Sequence, residues 1–200
     1  MGNPVTRASA ARRTGAAGRH HVRRRGGNNP WYATDLAFQA ALERGLEEQA
    51  EHRGQVTFSL TLPPPGRTTG RILTFRHAGL DVPGRPDPVP VTIEFHETPT
   101  YDTYRLHPAD YPRVLADPGA ESPHRLPGDA LCLWYPADSD DHRWHHTNGL
   151  VGLINLARNH VFFEEHWRAT GGFGDRGRPE GTWLGDEAPH GFPDEWRRAS

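Results

Sequence analysis

A chain of 200 residues has the size of one ordinary domain with tails and little room for two full cores. Its 23 basic residues are all arginine, which excludes Schiff-base and P-loop lysine chemistry, and its single cysteine excludes an internal disulfide and the several-cysteine zinc frameworks. Charge is uneven: residues 1–29 hold seven arginines and no acid, which leaves 16 arginines against 25 acidic residues in the remainder.

The arm of residues 1–29 has no aromatic side chain and reads as a solvated, disordered, Arg-rich terminus rather than a nucleic-acid-binding element. Met1 to Gly27 contains no apolar h-region, and no run of 18 apolar residues follows, so a soluble cytoplasmic protein with no membrane partner is expected. From about Tyr32 to His52, strong helix formers place Leu36, Phe38, Ala40, Leu42 and Leu46 partly in helical register, which predicts one helix ended by Gly54. Val56, Phe58, Leu60 and Leu62 then alternate, as in a half-buried strand, and "GRILTFRHAGL" and "PVTIEFHETP" follow after Gly/Pro breaks. Three strands joined by short connections predict an antiparallel meander.

Tyr101 to Gly128 is proline-punctuated, with a short strand expected at "YPRVLA", and "ALCLWYP" is fit to sit on the core. Beyond the acidic loop, Leu150, Leu153, Ile154, Ala157, Val161 and Phe162 line one face of a predicted helix, with Thr147 or Asn148 as its cap and Gly171-Gly172 as its end. The last segment is Gly/Pro-rich with aromatic anchors at Phe173, Trp183 and Trp196. The organisation expected is the arm at 1–29, one α+β domain at 30–170 and a tail at 171–200 packed on it.

Chemistry gathers around Cys132. His124 stands eight residues upstream, across the Pro127-Gly128 turn, and Asp138, Asp140 and Asp141 lie downstream with His142, His145 and His146. A thiol with its ordinary pKa of about 8.5 is mostly protonated at neutral pH and needs help from such neighbours. Between two leucines it also reads as a small buried hydrophobe, and the residues alone leave structural thiol, metal ligand and nucleophile open. Trp134, Tyr135 and Trp144 read as packing residues that hold the cysteine segment.

"HRLPGDALCL" followed by "RWHHTNGLVGLINLA" resembles the ubiquitin-conjugating enzyme fold, in which a meander leads to a His-containing turn, the active cysteine, a tryptophan and a crossover helix. "VFFEEHWRATGGFG" with "GTWLGDEAPHG" is similar to the small prokaryotic relatives found in antiphage operons beside cGAS-like nucleotidyltransferases. The resemblance spans about residues 31 to 190. It implies a meander of about four strands and acyl transfer through a Cys132 thioester. It also implies support from His124 and from one carboxylate among Asp138, Asp140 and Asp141, with Gly128, Trp134 and Trp144 shaping the site. No cofactor or metal is implied. The acyl group would be the C-terminus of a cGAS-like nucleotidyltransferase, with any ATP-dependent activation left to a separate enzyme, because this chain has no nucleotide-binding Gly loop. Where the family continues with Pro-Asn after its histidine, this chain has Arg125-Leu126.

Other readings compete. "DDHRWHHTNGLVGLINLARNH" is similar to the His-Asn-His nuclease motif through His142, Asn155 and His160, yet the last two fall on one predicted helix. A zinc deaminase needs His-x-Glu followed by Pro-Cys-x-x-Cys, which a single cysteine cannot supply, and a papain-like hydrolase places its thiol at a helix start. A non-catalytic binding module of the same fold is the remaining alternative.

Overall fold

The computed structural model describes residues 29–45, 52–63 and 70–184. The arm before Asn29, the stretch 46–51 of the expected first helix, and Trp196 lie outside the described residues. The elements are α1 (Trp31–Thr34), α2 (Leu36–Glu43), β1 (Val56–Thr61), β2 (Ile72–Leu80), β3 (Val89–His96), β4 (Arg113–Ala116), β5 (Arg125–Leu126), β6 (Ala130–Leu131) and α3 (Gly149–Ala169). The strands form one antiparallel sheet in the order β1-β2-β3-β4-β6-β5. The mixed α and β class is as expected, but the described residues form six strands where about four were expected, because the chain around the cysteine adds a hairpin of two-residue strands. No helix among the described residues is long and apolar enough to cross a membrane.

The single first helix is corrected to two short ones. Asp35 is extended (φ −86°, ψ 93°), and its carboxylate accepts the Phe38 N–H at 2.9 Å. It therefore caps α2 instead of continuing α1. Arg44 is extended, Gly45 has a left-handed φ of 80°, and His52 lies in a turn whose carbonyl accepts the Gln55 N–H.

The core follows from alternation. Val89, Val91, Ile93 and Phe95 on β3 are all buried, and the register sets Leu73 beside Phe95, Phe75 beside Ile93, and Val114 on the other side of Ile93. Leu150, Leu153, Ile154, Ala157 and Val161 of α3 belong to the same cluster, as do Phe38 and Leu42 of α2. Each such side chain, fully buried, contributes about 1.5–3 kcal/mol.

The opposite sheet face carries Thr92, Glu94 and His96, none of them fully buried. Phe162, expected on the buried face of α3, is only partly buried, while His160, Glu164 and Trp167 are buried. Asn148 does not cap the helix with its side chain but accepts the His145 N–H at 2.7 Å. Gly149 (φ 78°) lets α2 and α3 meet, since a Cβ there would lie 2.9 Å from the Ala41 carbonyl.

The expected glycine end holds: Gly172 (φ 55°) donates its N–H to the Trp167 carbonyl at 2.9 Å. The chain then folds back as a strap. Glu180 and Gly181 donate to the Gly172 carbonyl, Thr182 N–H reaches Thr170 Oγ1 at 2.7 Å, and Phe173 packs edge-on against Trp167.

Candidate functional site

The segment "HRLPGDALC" closes into a hairpin. Its turn, Pro127-Gly128-Asp129, has left-handed φ at Gly128 (74°) and Asp129 (65°) and rests on Arg113, whose guanidinium donates to the Pro127 carbonyl. A Cβ on Gly128 would sit 2.8 Å from the end of the Arg113 side chain, which could move aside, so it is the left-handed backbone that favours glycine. Arg125 pairs with Leu131 and Leu126 with Ala130. The Cys132 N–H donates to the His124 carbonyl at 3.1 Å, which extends the ladder by one pair and sets these two residues opposite each other.

The thiol is partly buried. Burial, and then the nearby Asp138 carboxylate, push its pKa up to about 12, so it is protonated at neutral pH. Two phenols feel a charge on this sulfur. Tyr104 is raised to about 12 by burial, Asp102, Cys132 and Tyr135, and Tyr111 is raised by burial and then by Cys132. Their rings meet edge-on with centroids 5.9 Å apart, and Tyr111 meets Trp134 at 6.0 Å.

Tyr104 (φ 53°) and Arg105 (φ 67°) occupy both centres of a turn closed by the Leu106 N–H to the Thr103 carbonyl. Two bulky residues in the left-handed region cost about 1–2 kcal/mol each. Strain of this kind collects where a site needs a fixed geometry.

The three aspartates part company. Asp138 closes a turn with Tyr135 through backbone and carboxylate bonds and is the one placed by the thiol. Asp140 pairs with Arg143, and its carbonyl accepts from His145 Nε2 at 3.1 Å. Asp141 has its side chain 78% exposed and is held low by the Ser139 hydroxyl and then by His142.

His124 serves the other flank. Its ring stacks on Trp183 at 4.2 Å, and burial, then His160, lower its pKa to about 4, against the opposing pull of Glu164. Arg125 makes a two-pronged bridge to Glu164, with Nε to Oε1 at 2.9 Å and Nη2 to Oε2 at 2.8 Å, and also binds Asp129 and the Asp117 carbonyl. Glu164 is fully buried. Burial acts to raise its pKa, but bonds from His160 and Arg125 outweigh that and hold it at about 2. His160 Nε2 lies 3.3 Å from Glu164 Oε1.

Trp144 is buried, donates to the Gly149 carbonyl at 3.1 Å and lies 6.1 Å from Trp134, so the two indoles back the cysteine segment. A small cavity of about 10 Å³, lined by Tyr111, Leu126, Leu131, Leu133 and Trp134 among others, lies beneath.

Sequence reasoning missed Tyr104, Tyr111, Arg125 and Glu164. Glu164 had a readable signal, since it continues the Ala157, Val161 face at helical spacing and stands four residues after His160. Tyr104 had none. The nuclease residues do not share partners: His142 is exposed beside Asp141, Asn155 binds Arg158, and His160 is buried on Glu164. Among the described residues no three His, Cys, Asp or Glu side chains gather as a metal site would require. Compared with protein-family models, curated proteins and solved structures, the chain matches none.

Proposed function

We propose that the protein is a ubiquitin-conjugating-enzyme-like acyl carrier and transferase. Cys132 Sγ attacks an activated carbonyl at a protein C-terminus, the activating group leaves, the thiol proton passes to Asp138 or water, and a thioester results. An incoming nucleophile then displaces the sulfur. The acyl donor in this reading is a cGAS-like nucleotidyltransferase in antiphage signalling, activated elsewhere, and the setting is the cytoplasm.

One observation carries the reading: the only thiol of the chain ends a glycine-turn hairpin and lies among a carboxylate and two protonated phenols. A phenol held protonated is a hydrogen-bond donor suited to the oxyanion of a tetrahedral intermediate. A hydrolase built on a pre-formed thiolate would need the opposite shift at Cys132. The same upward shift favours a second reading, a non-catalytic binding module in which Cys132 is structural.

Intact-mass analysis of the protein mixed with an activated candidate C-terminus separates the two. The carrier gives a thiol-labile adduct that Cys132→Ser converts to a stable ester or loses, and that Cys132→Ala abolishes. An adduct that survives in Cys132→Ala overturns the carrier. A partner held equally by wild type and Cys132→Ala, with no adduct, supports the binding module.

A further inference from the structure

We propose that Trp183 is an autoinhibitory latch: the strap after α3 holds the His124 ring away from Cys132, and lifting the strap lets His124 turn to the thiol and activate it.

Four observations build the latch. First, His124 and Cys132 are opposite residues of one hairpin, joined by the Cys132 N–H to His124 carbonyl bond at 3.1 Å. Side chains of directly opposed residues share a face, with Cβ atoms about 4.5–5.5 Å apart. In the latch, rotation about the His124 side-chain bonds is the movement that brings a ring nitrogen toward the sulfur.

Second, the ring is committed elsewhere. It stacks on Trp183 at 4.2 Å, and that indole is wedged against His160 (5.3 Å) and Phe163 (5.8 Å) of α3. Third, the strap is docked by identifiable bonds among the described residues. The Thr182 N–H to Thr170 Oγ1 bond holds the residue before Trp183, and the bonds of Glu180 and Gly181 to the Gly172 carbonyl hold the rest. The left-handed Gly172 at its root is a ready hinge.

Fourth, the anchor beneath makes its own bonds: Arg125 ties the hairpin to α3 through Glu164, and Asp129 of the hairpin turn braces the same guanidinium. Opening should expose His124 without melting the hairpin.

The ionisable groups around the ring are His160 and Glu164 from α3 and Arg125 from its own strand. Those around the sulfur are Asp138, Tyr104 and Tyr111. With the strap seated the imidazole is neutral and a poor proton acceptor, and the thiol keeps its proton. With the strap lifted, water restores the basicity of the ring. The Sγ–H proton passes to the imidazole, leaving a thiolate–imidazolium pair.

This inference goes beyond acyl transfer, and its test needs no acyl donor. Cys132 is the only thiol, so iodoacetamide alkylation of the full chain reads its thiolate directly, iodide being displaced by sulfur. Trp183→Ala is expected to alkylate at least about tenfold faster at pH 7, with the rate-against-pH midpoint moved down. Trp183→Phe should stay near wild type, and Trp183→Ala/His124→Gln should fall back to the wild-type rate. Far-UV circular dichroism checks the fold, and Trp183→Leu, which keeps bulk but not the aromatic stack, replaces the alanine variant if that one unfolds. Unchanged alkylation in a folded variant overturns the latch. An acceleration that persists without His124 also overturns it, because mere exposure would then explain the gain.

Discussion

The two flanks of the Cys132 hairpin are held by opposite means. Toward α3, Arg125, Glu164, His160 and Trp183 form a buried, charged and aromatic clasp. Toward the Tyr104 loop, position comes from local turns, two left-handed non-glycine residues and edge-on rings. The first flank fixes where the hairpin is. The second sets what surrounds the sulfur.

That division is broken most severely at Glu164. Glu164→Ala strips the Arg125 guanidinium of its two-pronged, fully buried partner and leaves it only Asp129 and the Asp117 carbonyl, which should cost about 3 kcal/mol in urea unfolding. Glu164→Gln, which keeps an acceptor, should lose less. If both variants unfold like wild type, the clasp is not what fixes the hairpin.

Next in size is the response to acid. His124 has a folded pKa of about 4 against an ordinary 6.5, so below pH 6.5 the unfolded chain takes up the proton first. The stability it contributes is complete above pH 6.5 and is lost as pH falls toward 4, by about 2–3 kcal/mol. Glu164 acts lower: its contribution is complete above its ordinary 4.5 and is lost as pH falls toward about 2. His124→Asn should flatten the upper window and leave the lower one, as read from melting midpoints between pH 3 and 7. A slope from 6.5 to 4 that is the same in His124→Asn would remove the buried-histidine account.

The smallest effect sharpens the other flank. Arg105 is exposed and left-handed, so Arg105→Gly should relieve backbone strain and raise stability by about 1 kcal/mol. A loss there would mean that the arginine side chain, not the backbone, holds the turn.

Much of the scaffold was legible in the sequence, and the reasons are physical. Period-two alternation marked β1 to β3 because one sheet face is buried, and the apolar stripe marked α3 because its neighbours are apolar. The first helix was misread because Asp35, inside the expected span, caps a second helix. Proximity across elements was harder to see. Asp138, Asp140 and Asp141 look equivalent along the chain, yet one turn closed by Tyr135 sends only the first to the thiol. Trp183 was readable as an anchor, but its seat on His124 depends on a strap folded back over the end of α3. Tyr104 was invisible because nothing in its local sequence announces a left-handed backbone.

In the proposed acyl carrier, the raised pKa of Cys132 also bears on the lifetime of the thioester. A sulfur that holds its proton tightly is a poor leaving group, so the burial that slows loading of an acyl group also slows its spontaneous loss to water. On that proposal the site is suited to storage: the arrival of the acceptor rather than hydrolysis decides when the group moves.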